Sequence, residues 1–202
     1  IEAGYAPITA EIRAYIAAVQ GLVIIDDAEK MEEFGRDKTP GVFHRPDLVV
    51  EATEVPPIRA LLRLANDCRF PVIPRGLGTG LAGGAIPIHG GIVLSLAKMN
   101  RILAIEPRNM IAVVEPGLRN LDLKNAVAEH GLCYPPDPAS NDTCSIGGNA
   151  ATNAGPKWIQ TANVAGSKRS SRRARSIGSA AATATRMTDR AGRAMRKDGH
   201  SR

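Results

Sequence analysis

Pro71-Val72-Ile73-Pro74-Arg75-Gly76-Leu77-Gly78-Thr79-Gly80-Leu81-Ala82-Gly83-Gly84 is the stretch on which the reading of this chain turns. It starts as a short apolar strand and breaks into five glycines, at 76, 78, 80, 83 and 84. Gly78 to Gly83 matches G-x-G-x-x-G, which in a dinucleotide-binding βαβ unit opens a helix. Here Ile86-Pro87-Ile88-His89-Gly90-Gly91 follows instead and leads into another strand. Asn100-Arg101 occupy the region about twenty positions on, where that fingerprint needs an acidic residue. No G-x-x-x-x-G-K-[ST] occurs anywhere. Rossmann and P-loop sites are therefore excluded on pattern. What remains is a strand followed by a glycine-rich turn, with Arg75 at its mouth. Such a turn lets successive backbone N–H groups converge on phosphate oxygens, and Arg75 can add charge. A flexible surface loop is the plain alternative, but a run without Ser, Asp or Lys fits it poorly.

Outward from this turn, strands and helices alternate irregularly. Ile8, Ile12, Tyr15, Ile16 and Val19 have helical spacing over 8–19, with Thr9 as a weak start. A charged, Gly/Pro-containing loop is expected from about Asp26 to Pro46, then a strand over Asp47–Ala52. Ile58, Leu61, Leu62, Leu64 and Ala65 mark a helix whose first turn accepts Pro56 and Pro57. Phe70–Pro74 reads as a buried strand, and Gly91–Leu96, Ile102–Ile105 and Ile111–Glu115 as further strands. Leu118 to Ala128 reads as a helix closed by Gly131. Pro135-Pro136-Asp137-Pro138 suits neither helix nor central strand. Cys144–Gly155 is small and polar, and reads as a close-approach surface or a tightly packed turn. The fold class is α+β with mixed strands.

The charge of +6 over 202 residues is unevenly placed. Residues 1–156 hold 14 basic and 18 acidic side chains, whereas 157–202 hold 12 basic and 2 acidic. No run of 18 apolar residues exists, so no transmembrane helix is expected. The start at Ile1-Glu2-Ala3-Gly4 shows no signal peptide, and the missing methionine suggests a fragment or a trimmed start. Cys68, Cys133 and Cys144 form no C-x-x-C pair, which points to a reducing, cytoplasmic setting. The scattered His44, His89, His130 and His200 offer no metal-ligand spacing.

Further motifs accompany the glycine turn: Arg45-Pro46-Asp47-Leu48-Val49-Val50, Gly91–Leu96 with Met99-Asn100-Arg101-Ile102, and Ala112-Val113-Val114-Glu115-Pro116-Gly117. Tyr134-Pro135-Pro136-Asp137-Pro138-Ala139-Ser140, Cys144–Asn149 and Ala151–Gly155 complete the set. In order and spacing, over about residues 20–156, they resemble the flavin-binding domain of the vanillyl-alcohol oxidase (p-cresol methylhydroxylase, PCMH-type) family. The likeness is nearest to its FAD-linked 2-hydroxyacid oxidoreductases, the glycolate oxidase FAD-linked subunit and D-lactate dehydrogenase. The resemblance implies an α+β domain of two subdomains with an extended FAD between them. Pro74, Arg75, Gly76, Leu77, Gly78, Thr79, Gly80, Leu81 and Gly84 would hold the pyrophosphate. Pro136, Asp137, Ser140, Ser145, Gly148, Asn149, Ala151 and Thr152 would line the pyrophosphate, ribityl and isoalloxazine side. The glycine turn contains no His for a covalent tether, so non-covalent FAD is expected, accepting a hydride from a small 2-hydroxy acid. Catalytic bases and substrate-binding arginines belong to the family's later cap domain, and partner subunits are a further expectation.

The likeness stops where Gly155 is followed by Pro156-Lys157-Trp158. The organisation expected is a lead-in over 1–45, a FAD-binding domain over 46–156 with its second subdomain incomplete, and a basic tail over 157–202. That tail holds nine Arg, nine Ala and six Ser, and disorder is expected for it. Two origins compete. One is a basic arm contacting nucleic acid, which would make the chain a non-enzymatic binding module. The other is a GC-rich gene read out of frame after about residue 155, which the composition favours. Either way the chain alone is expected to be inactive.

Overall fold

The computed structural model describes residues 4–154, together with the backbone of Thr183–Arg186 and Thr188–Asp189. Thr9 accepts a hydrogen bond from Ile12 N at 3.3 Å and so starts α1, Ala10–Ala18, as the sequence suggests. Ile12 and Ile16 lie one turn apart on its buried side, while Tyr15 is exposed. β1, Leu22–Ile25, follows. The charged stretch read as a loop from Asp26 contains a second helix, α2, Ala28–Phe34, capped where Asp27 accepts from Lys30 N at 2.9 Å. Its apolar side is only Met31 and Phe34, packed with Val49, Val93 and Ile73. One buried turn is too little periodicity to read in a charged background.

β2, Leu48–Ala52, is buried at four of five positions, as a strand covered on both faces should be. α3, Val55–Cys68, carries Pro56 and Pro57 in its first turn and buries Ile58, Leu61 and Ala65. It closes at Arg69, which takes the left-handed conformation. β3, Val72–Arg75, is less buried than expected: Val72 and Ile73 are half-covered and Pro74 is exposed. It is an edge strand, where proline costs no ladder hydrogen bond. β4, Ile92–Ser95, lies between β2 and β3 and parallel to both. β1 adds antiparallel to β2, giving the order β1-β2-β4-β3. Ile16, Leu48, Leu61 and Ile92 are enclosed where α1 and α3 cover this sheet.

The second part has β5, Ile102–Glu106, and β6, Ile111–Val114, joined by a 3-10 turn at Pro107–Asn109. α4, Asn120–Ala128, β7, Leu132–Cys133, and α5, Ile146–Thr152, follow. Ala112, Val114, Leu123, Val127 and Ile146 form its core. Neither β7 nor α5 is expected from the sequence. β7 is two residues long, and α5 contains Gly147-Gly148, a pair that disfavours helix. Of the stretch expected to be disordered, Thr183–Arg186 forms β8, antiparallel to β6. Thr188–Asp189 forms β9 beside β7. Alternating β-branched Thr183 and Thr185 suit a strand, which composition over 46 residues does not register. The rest of 157–202 lies outside the described residues. Among the described residues no helix is long and apolar enough to cross a membrane.

Glu115 ties the start of β5 to the end of β6. It accepts from Arg101 N at 2.8 Å and from Arg101 Nη2 at 2.7 Å. Burial opposes its charged form, but the Arg101 hydrogen bonds and charge outweigh it and hold the carboxyl below its ordinary value. The stability this adds is complete above the ordinary carboxylate pKa of about 4.3 and is lost as pH falls through the lower folded value. Melting curves taken from neutral to strongly acid pH should therefore show Glu115→Gln less stable at neutral pH. They should also show it losing less on acidification. Parallel pH profiles for the two chains would contradict this assignment.

Candidate flavin site

Neighbouring parallel strands need a long crossover, usually helical. β3 and β4 are joined by the residues from Gly76 to Gly91, which form neither helix nor strand. Structureless connections of that length usually carry function. This one is anchored from the chain between α2 and β2. Lys38 N donates to Gly80 O at 3.0 Å and Gly83 N to Thr39 Oγ1 at 2.8 Å. Thr39 N is itself held by Asp37 Oδ1 at 2.8 Å. At the far end Gly91 N donates to Asp47 Oδ2 at 2.6 Å. Between these anchors the N–H groups of Leu77, Gly78, Thr79, Gly80, Leu81 and Ala82 have no acceptor among the described residues. Gly78 has φ +68, in the region that favours glycine. Leu81 is 74% exposed at the tip and Gly84 is exposed, with open space where a Cβ would stand.

Arg75 is placed differently from the expected position at the mouth of the turn. Its side chain is buried under the loop, where a Cβ on Gly78 would overlap the guanidinium. It donates to Arg36 O at 2.5 Å and Glu33 O at 3.4 Å, and lies 5.2 Å from the Phe34 ring centroid. The guanidinium thus closes the end of α2, whose last carbonyls lack helical partners. Burial lowers its pKa, and the charges of Glu33 and Asp37 partly restore it. Its positive charge supports the unpaired amides from beneath while its donors are turned to α2.

The second set of candidate residues meets the first at one point: a Cβ on Gly76 would overlap Ser145 Oγ. Ser145 is buried and caps α5, accepting from Gly148 N at 3.3 Å. Gly147 packs on Pro116, whose Cβ lies 2.6 Å from where a Gly147 Cβ would stand. Gly148, Ala151 and Thr152 lie on the exposed side of α5, and Thr152 Oγ1 donates to Gly148 O at 3.0 Å. Asp137 is exposed and pairs with Lys124 at 2.5 Å. Ser140 is half-buried, and its carbonyl accepts from Cys144 N at 2.7 Å. Pro136 is buried, and Asn149 is 7% exposed and turned inward to Asn120.

A profile of FAD binding domains matches residues 46–167. The chain belongs to this FAD-binding family. FAD is its cofactor. The domain is 42% identical over 147 residues to the glycolate oxidase subunit GlcD of Escherichia coli K12, covering 73% of this chain and 30% of the relative. It is 43% identical over 111 residues to a D-lactate dehydrogenase of Anaerostipes hadrus, covering 55% of this chain and 23% of that one. The chain thus spans less than a third of the relatives it matches. Its fold is that of p-cresol methylhydroxylase, with a TM-score of 0.61 at 20% identity over 75% of this chain and 31% of the other. The expected PCMH-type architecture is therefore the one observed.

The residues of this FAD-binding domain fit a dinucleotide. A pyrophosphate needs donors with no side chain in the way, and Leu77–Ala82 present unpaired amides, with the buried Arg75 guanidinium beneath Gly78. Three supporting residues carry no signal in the sequence: Asp37 and Thr39, which brace the loop, and Asn120, which holds the second segment. No spacing rule marks them, because each acts on chain distant in sequence.

Proposed function

We propose that this chain is the FAD-binding part of a flavin-dependent oxidoreductase acting on a small 2-hydroxy acid, such as glycolate or D-lactate. The observation that carries the reading is the row of unpaired N–H groups over Arg75, in a chain whose family binds FAD. Residues 76–81 and Gly84 bind the pyrophosphate, chiefly through backbone amides, with the Arg75 charge beneath Gly78. Pro136, Asp137, Ser140, Ser145, Gly148, Ala151 and Thr152 border the ribityl and ring side, with Asn149 behind them. Residues 76–84 contain neither His nor Cys, which supports non-covalent binding. When bound, FAD supplies the hydride-accepting chemistry, and the protein contributes orientation and exclusion of water. No residue of 1–202 is assigned as catalytic base, and the substrate-binding groups are placed outside these residues, in further sequence or a partner subunit. The basic-arm alternative falls almost wholly on residues outside those described.

Titration of the purified chain with FAD, followed by quenching of flavin fluorescence, tests this directly. Weak, reversible quenching is expected, with no dye reduction on addition of glycolate or D-lactate. No quenching at high FAD would overturn the binding role, and turnover would overturn the claim that these residues lack the catalytic groups.

A further inference from the structure

A buried pair of amide side chains holds the second flavin-facing segment. Asn120, at the start of α4, is wholly buried, with both amide hydrogens and the side-chain oxygen engaged. Its Nδ2 donates to Pro136 O at 3.1 Å and to Asn141 Oδ1. Its Oδ1 accepts from Asn149 Nδ2 at 2.9 Å, and Asn149 Nδ2 also reaches Cys144 Sγ at 3.3 Å. Two backbone bonds run alongside, Asn120 N to Cys144 O at 3.1 Å and Leu121 N to Asn141 O at 3.2 Å. One side chain therefore joins three pieces: α4, the loop from Pro136 to Cys144, and α5. That loop has no helix or strand of its own, and Pro135, Pro136 and Pro138 deny it backbone donors. The two amides link its near end to α5, and the Lys124–Asp137 ion pair holds that end to α4 as well.

We propose that Asn120 and Asn149 are positioning residues of the flavin site. They touch no cofactor atom; they fix Pro136, Asp137 and Ser140 relative to Ser145, which meets Gly76 of the phosphate loop. This rests on the proposed flavin reading of that site and gives Asn149 a supporting role in place of the expected direct contact with FAD. Ordering a loop before binding spares its entropy at the moment of binding. A buried amide that loses its partners also costs far more than an exposed one.

Hydrogen exchange on the full 202-residue chain, with and without excess FAD, separates the two claims. Asn120→Asp keeps the shape but cannot donate to Pro136 O or to Asn141 Oδ1. In the apo chain, amides of 139–145 are expected to exchange about tenfold faster or more in the variant, from the two lost hydrogen bonds. Those of β2 and β4 should be unchanged. FAD should protect residues 77–84 in both chains, but 139–145 only in the unaltered one. Unchanged apo exchange in the loop, or equal FAD protection of 139–145, overturns the positioning role. If FAD protects neither segment of the unaltered chain, the flavin reading fails, and the apo comparison still decides whether the amides hold the loop. Should Asn120→Asp not fold, Asn149→Ala removes the α5 amide while leaving the Asn120 bonds to Pro136 and Asn141, and should give a weaker change confined to the same segment. Loosening spread over both sheets would mark a general structural role and sink the proposal.

Discussion

Replacing Arg75 with methionine is expected to cost about 2–3 kcal/mol of stability, the scale of hydrogen bonds donated by a buried charged group. Methionine is long enough to keep the packing on Phe34 and beneath Gly78, so the loss isolates the guanidinium. Arg36 O would lose its donor from the buried guanidinium, and Glu33 O would keep only the N–H groups of Gly35 and Arg36. Domains of this size are stable by about 5–15 kcal/mol, so the melting temperature should fall by about 10 °C. Arg75→Lys keeps a charge but not the fork of donors, and should fall between the two. FAD affinity of Arg75→Met, measured well below its melting point, should fall as well, because the loop loses the charge below its amides. A melting temperature within a degree or two of the unaltered chain would show that the guanidinium carries no such load.

Gly117→Ala should be as damaging, for a different reason. A Cβ there would overlap Leu96 O and stand 2.8 Å from Met99 O and 3.0 Å from Ala97 O. All three are backbone atoms, and Gly117 N is already hydrogen-bonded to Met99 O at 2.7 Å. Neither side can retreat without giving up the junction between the strap after β4 and the turn after β6. Overpacking of this kind costs about 1–3 kcal/mol, occasionally more, and the upper end is expected because no flexible side chain absorbs the strain. Gly84→Ala is the control, since it meets nothing within 4 Å. Its unfolding free energy from urea titration should match that of the unaltered chain to within about 0.5 kcal/mol. Equal midpoints for Gly117→Ala and Gly84→Ala would refute the account of the junction.

Much of the fold and part of the site are legible in the order of residues alone. Thr9 with Ile12 and Ile16, and Ile58 with Leu61 and Ala65, announce α1 and α3 because caps and apolar spacing are local properties. The glycine turn is equally readable, since five glycines bounded by two strands leave few alternatives. α2 is hidden because its buried side is only Met31 and Phe34. α5 is hidden because Gly147 and Gly148 look like loop, although Ser145 gives a proper cap. The direction of Arg75 is not legible either: an arginine beside a phosphate loop suggests a ligand contact, and only the position of α2 shows where its donors go. The contacts of Gly76 with Ser145 and of Asn120 with Pro136 join residues far apart in sequence. Composition and spacing have no access to such pairs.

The placement of β4 also bears on how the chain is made. β4 is the last strand of its sheet to be synthesised, yet it occupies an inner position between β2 and β3. Until residue 95 has emerged, β3 has no parallel neighbour, and one edge of β2 stays open with Val49 and Val50 at hand. Unpaired apolar edges are where nascent chains associate wrongly. The proline in β3 and the glycine-rich crossover then act as safeguards during synthesis: one blunts the waiting edge, and the other stays compliant until the inner strand arrives.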